Sequence, residues 1–152
     1  MSIELKTIGV IGAGQMGSGI AHVCALAGYQ VRLHDVSPER IQAGLATITG
    51  NLARQATKGH ITEDARQQAL ARIAGAENLD GLGDTDLVIE AATENEQVKR
   101  KIFSQLCPVL QPEAVLATNT SSISITRLAA STDRPEKFVG VHFMNPVPVM
   151  QL

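Results

Sequence analysis

The chain holds 152 residues, 44% hydrophobic and 18% charged, with a formal net charge of −2. That length can bury roughly 70% of the surface its unfolded form exposes, enough for one domain. Near-neutral charge, three Phe, one Tyr and no Trp exclude a whole-surface nucleic-acid binder and a base-stacking platform.

Cys24 and Cys107 lie in no Cys-x-x-Cys pair or His/Cys cluster, so no disulfide scaffold and no metal site is expected, and a reducing cytoplasm is implied. Thr7 to Val31 lacks any Asp, Glu, Lys or Arg and is long enough to cross a bilayer. Six glycines, with Gln15, Ser18, His22 and Gln30, instead make it read as a strand, a glycine turn and a buried helix. Met1 to Lys6 carries Glu4, and no apolar core follows before the glycines, so a soluble, unexported protein is expected.

Lys6 to Ile11 predicts a first strand, stopped by Gly12, and Met16 to Ala27 a helix ending at Gly28. Gln30 to His34 is again strand-like. Ser37-Pro38-Glu39 then supplies an N-cap, a proline at the first helical position and an acidic first turn. Ile41, Leu45, Ile48 and Leu52 form one apolar stripe running towards Gly59. Thr62-Glu63-Asp64 restarts a helix with Ala65, Ala69, Leu70 and Ile73 on its apolar side. Two helices in succession predict a hairpin where a crossover needs only one. Asp86 to Ala91 predicts a buried strand, Glu96 to Leu110 a helix and Val115 to Asn119 a strand. Ser124 to Ala130 predicts a short helix, and Phe138 to Phe143 a last strand before Asn145-Pro146. This alternation implies one α/β domain with a doubly wound, mostly parallel sheet.

Gly12-Ala13-Gly14-Gln15-Met16-Gly17 follows a strand, opens a helix, and is followed by Asp35 at the end of the next strand. That context predicts a dinucleotide site. Gly12 permits the turn, Gly14 admits a pyrophosphate and Gly17 lets the helix approach the strand. The helix N-terminus faces the phosphates with free amides and its positive dipole end. Asp35 would accept from the ribose hydroxyls and repel a 2′-phosphate, favouring NAD over NADP, with Arg32 and Arg40 acting the other way.

His22, His34, His60 and His142 show no metal-ligand spacing. His22 reads as a core or capping residue. His142 lies near a strand's carboxyl end, where α/β folds place chemistry, and an imidazole can remove a hydroxyl proton near neutral pH. Ala117 to Ser122 ends another strand. Its hydroxyls and amide suit a nicotinamide or a substrate oxygen, or equally cap the helix that follows. No Gly-x-Ser-x-Gly surrounds a serine, which argues against Ser–His–Asp hydrolysis. Glu77 to Glu96 carries seven acids and no base, whereas Asn51 to Arg72 carries four bases and two acids. Asn51, Arg54 and Lys58 share a helical face that suits a phosphate-rich ligand or simply solvent.

The glycine motif, Val88-Ile89-Glu90-Ala91-Ala92-Thr93-Glu94-Asn95 with Lys99, Asn119-Thr120-Ser121-Ser122, and His142 to Met150 occur in that order. Together they resemble the NAD-binding domain of the L-3-hydroxyacyl-CoA dehydrogenase family across the whole chain. The resemblance implies a Rossmann-type fold, NAD as cofactor, an acyl-CoA substrate and a reaction of the fatty-acid β-oxidation type. His142 would then be the catalytic base, with Ser121 on the substrate oxygen and Asn145 positioning the reacting group. Gly12, Gly14, Gln15, Met16, Gly17, Asp35 and Ala91 would hold NAD, Asn119 its nicotinamide end, and Glu94 and Lys99 the nicotinamide ribose. Glu90, inside its strand, would be structural. The hairpin would be the family's CoA-binding insertion, with Asn51, Arg54 and Lys58 as CoA contacts. The resemblance also implies a glutamate orienting the histidine and an all-helical domain forming a homodimer; neither lies within these 152 residues. No nucleic acid or membrane partner is expected. Two other readings stay open: a related dehydrogenase acting on a non-CoA hydroxy acid or alcohol, and a non-catalytic NAD-binding module. Hydroxyisobutyrate-type dehydrogenases share the glycine opening but use a lysine base, which His142 argues against.

Overall fold

Hydrophobic residues at adjacent positions of each central strand point to opposite faces, so the sheet is buried on both sides. A computed structural model of the chain describes residues 4–150. Six strands, β1 (Thr7–Ile11), β2 (Gln30–His34), β3 (Ile73–Gly75), β4 (Leu87–Glu90), β5 (Val115–Asn119) and β6 (Phe138–Val141), form one sheet in the order β3-β2-β1-β4-β5-β6. Every pairing is parallel. The helices are α1 (Gln15–Leu26), α2 (Pro38–Thr57), α3 (Glu63–Arg72), α4 (Glu96–Leu106) and α5 (Ile125–Ala130).

Ile8 and Val10 of β1 join Ile89, Ala117, Ile20, Ile48, Leu52 and Ala69 in a core under α1, α2 and α3. Ile11, Val88 and Leu116 join Phe103, Leu106, Leu128 and Phe138 in a second core on the other face, under α4 and α5. The inserted hairpin is α2 and α3, directly after β2. Side-chain caps hold the helix starts. Ser37 Oγ accepts from Arg40 N at 3.3 Å, Thr62 Oγ1 from Ala65 N at 3.0 Å, Asn95 Oδ1 from Val98 N at 3.1 Å and Ser124 Oγ from Arg127 N at 3.2 Å.

β1, α1 and β4 each differ from the sequence reading by one residue at one or both ends, and three further differences have a physical reason. Ile73 belongs to β3, paired with Val31, rather than to the apolar side of a helix. Three residues are too few to show a two-residue period. Helix α4 stops at Leu106, and Cys107–Val109 forms a tighter turn because Pro108 has no amide to continue the ladder. Strand β6 ends at Val141, two residues early; the Phe143 amide donates to Asn119 Oδ1 at 3.0 Å instead of pairing along the sheet. Among the described residues no helix is long and apolar enough to cross a membrane, and no group of three His, Cys, Asp or Glu could hold a metal ion. Residues 1–3, where the expectation of no secretion signal partly falls, lie outside the described residues.

Candidate cofactor and active site

Parallel pairing brings the carboxyl ends of all six strands to one edge, and the strand order reverses between β1 and β4. Crevices at such a reversal are where open α/β sheets bind ligands. Gly12 leaves β1 with φ 110°, and a Cβ there would lie 2.7 Å from the Ala91 carbonyl oxygen. A Cβ on Gly17 would sit 1.6 Å from the Gly12 oxygen, so helix α1 reaches the turn only because both residues are glycine. Gly14 is the opposite case: nothing lies within 4 Å of where its Cβ would be. It is also the N-cap of α1 and provides no side-chain cap, which leaves first-turn amides of the helix without intrahelical partners. Gln15 is exposed and Met16 half-buried beside this opening.

Asp35 ends β2 facing the turn. Its Oδ2 accepts from Ala13 N at 2.8 Å and its Oδ1 from Val36 N at 2.6 Å, with Arg40 Nη1 4.0 Å away. The side chain remains 11% exposed. Beside it a small cavity of about 100 Å³ is walled by Ile11, Val36, Leu79, Ala92 and Ile102, an apolar slot that suits a flat heterocycle. Open space at Gly14, uncapped amides and a carboxylate next to an apolar slot fit a dinucleotide.

At the far end of the crevice, Glu94 Oε2 accepts from Thr120 Oγ1 at 2.8 Å and from Ser122 Oγ at 3.1 Å. Asn119, half-buried, ends β5, and its side-chain oxygen holds Phe143 N, leaving the carboxamide NH₂ for a ligand. Lys99 has a different surrounding. It is fully buried, and its ammonium donates to Glu90, to Thr118 Oγ1 at 3.0 Å and to the Asn119 carbonyl at 3.2 Å. The structure therefore does not bring Lys99 to the crevice surface; it reaches the site through the backbone of Asn119. Glu90 works in the interior too, with Oε2 accepting from Ala92 N at 2.8 Å.

His142, just past β6, and Ser121, just past β5, line one open cleft of about 480 Å³ with Thr120, Ser122 and Arg127. His142 is exposed and makes no hydrogen bond among the described residues. Arg127 ion-pairs with Glu96 at 2.5 Å. Asn145 lies in a neighbouring cavity of about 160 Å³ with Gln15, Gly19 and Asn51, and the Asn145–Pro146 peptide is cis. Asn51 also lines a third cavity, of about 240 Å³, together with Arg54 and Lys58. Ser121 and His142 thus share one cleft, Gln15 and Asn145 a second space, and Asn51 joins that space to the one lined by Arg54 and Lys58, while Gly12 and Asp35 lie at a separate slot and Lys99 in the interior.

A family model for the NAD-binding domain of 3-hydroxyacyl-CoA dehydrogenases matches residues 7–152. The chain belongs to that family. NAD is its cofactor. A 3-hydroxybutyryl-CoA dehydrogenase of Bradyrhizobium diazoefficiens is 65% identical over 152 residues, 100% of this chain and 52% of that protein. The crystal structure of (S)-3-hydroxybutyryl-CoA dehydrogenase from Ralstonia eutropha superposes with a TM-score of 0.95 at 48% identity, covering 98% of this chain and 53% of that one. A diketoreductase superposes with a TM-score of 0.89 at 31% identity, covering 98% and 53%. The chain spans about half the length of the curated relatives it matches.

Two polar residues escaped the sequence reading: Arg127, at the His142 cleft, and Gln55, which lines the third cavity; Thr120, in the segment read as suiting a ligand or a cap, anchors Glu94, and His22, read as a core or capping residue, is buried beside Gln55. Gln55 had a signal, one helical turn beyond Asn51 on the face already singled out. Arg127 had none.

Proposed function

We propose that this chain is the cofactor half of an NAD-dependent 3-hydroxyacyl-CoA dehydrogenase and carries its catalytic base. The substrate would be a 3-hydroxyacyl-CoA such as 3-hydroxybutyryl-CoA. The observation that carries the reading is the shared cleft of His142 and Ser121 at the strand edge that also holds the cofactor crevice. The relatives' names support the substrate class.

Oxidation removes a hydride from C3 and a proton from the C3 hydroxyl, leaving the 3-oxoacyl-CoA, NADH and a proton. NAD supplies the hydride acceptor. His142 takes the hydroxyl proton on a ring nitrogen, and Ser121 donates to the same oxygen as it becomes a carbonyl. Asn145 orients the reacting group, Asn119 and Glu94 fix the nicotinamide end, and Asp35 holds the adenosine ribose. Asn51, Arg54 and Lys58 bind the CoA, whose phosphates suit two cations on one helix face. The helical domain that the resemblance implies would close the cleft, orient the histidine and form a homodimer. Soluble, cytoplasmic chemistry fits two buried free cysteines.

The deciding experiment places residues 1–152 in one polypeptide with such a helical domain and replaces His142 by Ala. Turnover of 3-hydroxybutyryl-CoA should fall by about 10²–10⁴ with NADH affinity unchanged. Turnover that survives the change would remove His142 from the chemistry. A second reading, a dehydrogenase of non-CoA substrates, draws on the diketoreductase likeness. It requires that acetoacetyl-CoA bind no better than free acetoacetate.

A further inference from the structure

Two carboxamides of α2, Asn51 and Gln55, line the third cavity one helical turn apart. In each the oxygen is already engaged. Asn51 Oδ1 accepts from Arg54 Nη2, and Gln55 Oε1 lies 2.7 Å from His22 Nε2. His22 is 1% exposed, and its Nδ1 is buried without a partner. Burial lowers the pKa of His22 below 6.5, and its hydrogen bond with Gln55 offsets only part of that. The ring is therefore neutral near pH 7 and carries one N–H. With that hydrogen on Nε2, donated to Gln55, the orphaned atom is an acceptor. The opposite tautomer would bury an orphaned donor, the rarer and costlier case. Gln55 consequently turns its NH₂ away from His22.

The surroundings define what those hydrogens can meet. Among the described residues no carboxylate lines the cavity; its polar lining otherwise consists of Asn51, Arg54, Lys58 and His60, and Pro146, Pro148 and Val149 form the apolar wall. A neutral donor against an apolar wall suits a neutral carbonyl oxygen. The cations suit phosphate. Asn51 continues into the cavity that holds Asn145 and Gln15, so the track leads from the cations towards the reacting end.

We propose that Gln55 is a binding residue for the pantetheine arm of the acyl-CoA, donating to an amide carbonyl, and that His22 is a positioning residue that fixes the Gln55 carboxamide with its donors outward. This rests on the acyl-CoA reading above and adds two residues to it.

The test is calorimetric titration of the NADH-saturated chain with acetoacetyl-CoA and with acetoacetyl-pantetheine, which carries no phosphate. Gln55→Leu should weaken both esters by about tenfold, the size of one hydrogen bond to a neutral group. Lys58→Ala should weaken acetoacetyl-CoA alone. His22→Leu should mimic Gln55→Leu, and His22→Gln, which keeps an N–H donor, should restore affinity, with NADH affinity constant throughout as the measure of an intact fold. Equal affinity of Gln55→Leu and the unmutated chain for both esters would overturn the assignment of Gln55. A loss seen with acetoacetyl-CoA alone would make Gln55 a phosphate contact and overturn it too. Failure of the unmutated chain to bind either ester would instead overturn the acyl-CoA reading on which it stands.

Discussion

Asp35 has two duties that pull on the same carboxylate. One oxygen accepts from the Ala13 amide and so shapes the glycine turn, and the other accepts from Val36 N; the second duty is the ribose contact proposed above. Asp35→Ala should therefore weaken NAD and also narrow the preference for NAD over NADP, since a like charge no longer faces the 2′-phosphate. Equal affinities for both cofactors in the unmutated chain, measured by calorimetry, would remove Asp35 from the ribose. His22 carries a pH signature. Its folded pKa lies below the unfolded value of about 6.5, so below that pH the unfolded chain binds more protons than the folded one. The stability it contributes is complete above about pH 6.5 and is lost as pH falls towards the folded pKa. The melting temperature should drop further between about pH 7.5 and 5.5 in the unmutated chain than in His22→Gln. Parallel drops would assign the acid response to other groups.

Helix α2 joins the cofactor side of the molecule to the third cavity. Gly44 lies against Ala13 of the glycine turn, where a Cβ would come within 2.9 Å of the Ala13 carbonyl, and Asn51, Gln55 and Lys58 follow two to four turns along. Because its charge is solvent-exposed, the contribution of Arg54 and Lys58 should be electrostatic and screened. Arg54→Ala with Lys58→Ala should weaken acetoacetyl-CoA without touching NADH, and the loss should shrink as salt rises from about 0.05 to 0.5 M. A salt-independent loss, or none, would return that face to solvent. The elements most legible from sequence were those with an unmistakable period and chemical stops. In the α2 stripe Ile41, Ile48 and Leu52 are buried and Leu45 half-buried, and Ser37 caps the helix as read; Thr62 and Ser124, read only as helix starts, are caps too. What escaped was set by distant partners. Nothing local marks Ile73 as a strand residue before β2 lies beside it. Likewise nothing near Lys99 in the sequence announces that its ammonium will be enclosed with Glu90, nine residues earlier, and Thr118, nineteen later.

At the scale of the whole molecule, the His142 cleft is open and His142 itself exposed, so on the function proposed above residues 1–152 alone would leave the reactants poorly fixed and wet. Oriented reactants gain roughly 7–11 kcal/mol over free ones. We expect residues 1–152 alone to bind NADH yet turn over 3-hydroxybutyryl-CoA at a small fraction of the rate reached when a helical domain follows them. Robust turnover without that domain would mean that the histidine is oriented from within, with Glu94 the first residue to test. The sheet also has a history written into its strand order. β1 is the first strand made and one of the two innermost, and its second side waits for β4, with Asp86 clasping the amides of Lys6 and Thr7 at 2.9 Å across about eighty residues of chain. Until that stretch has left the ribosome, Ile8, Val10 and Ile11 stand on an open strand edge. Long-range parallel pairing is slow and prone to stray association while it waits. A nascent chain arrested near residue 77 should be captured by edge-binding chaperones, and one extended past residue 119 should be released; capture that did not depend on length would show that β1 is protected by other means.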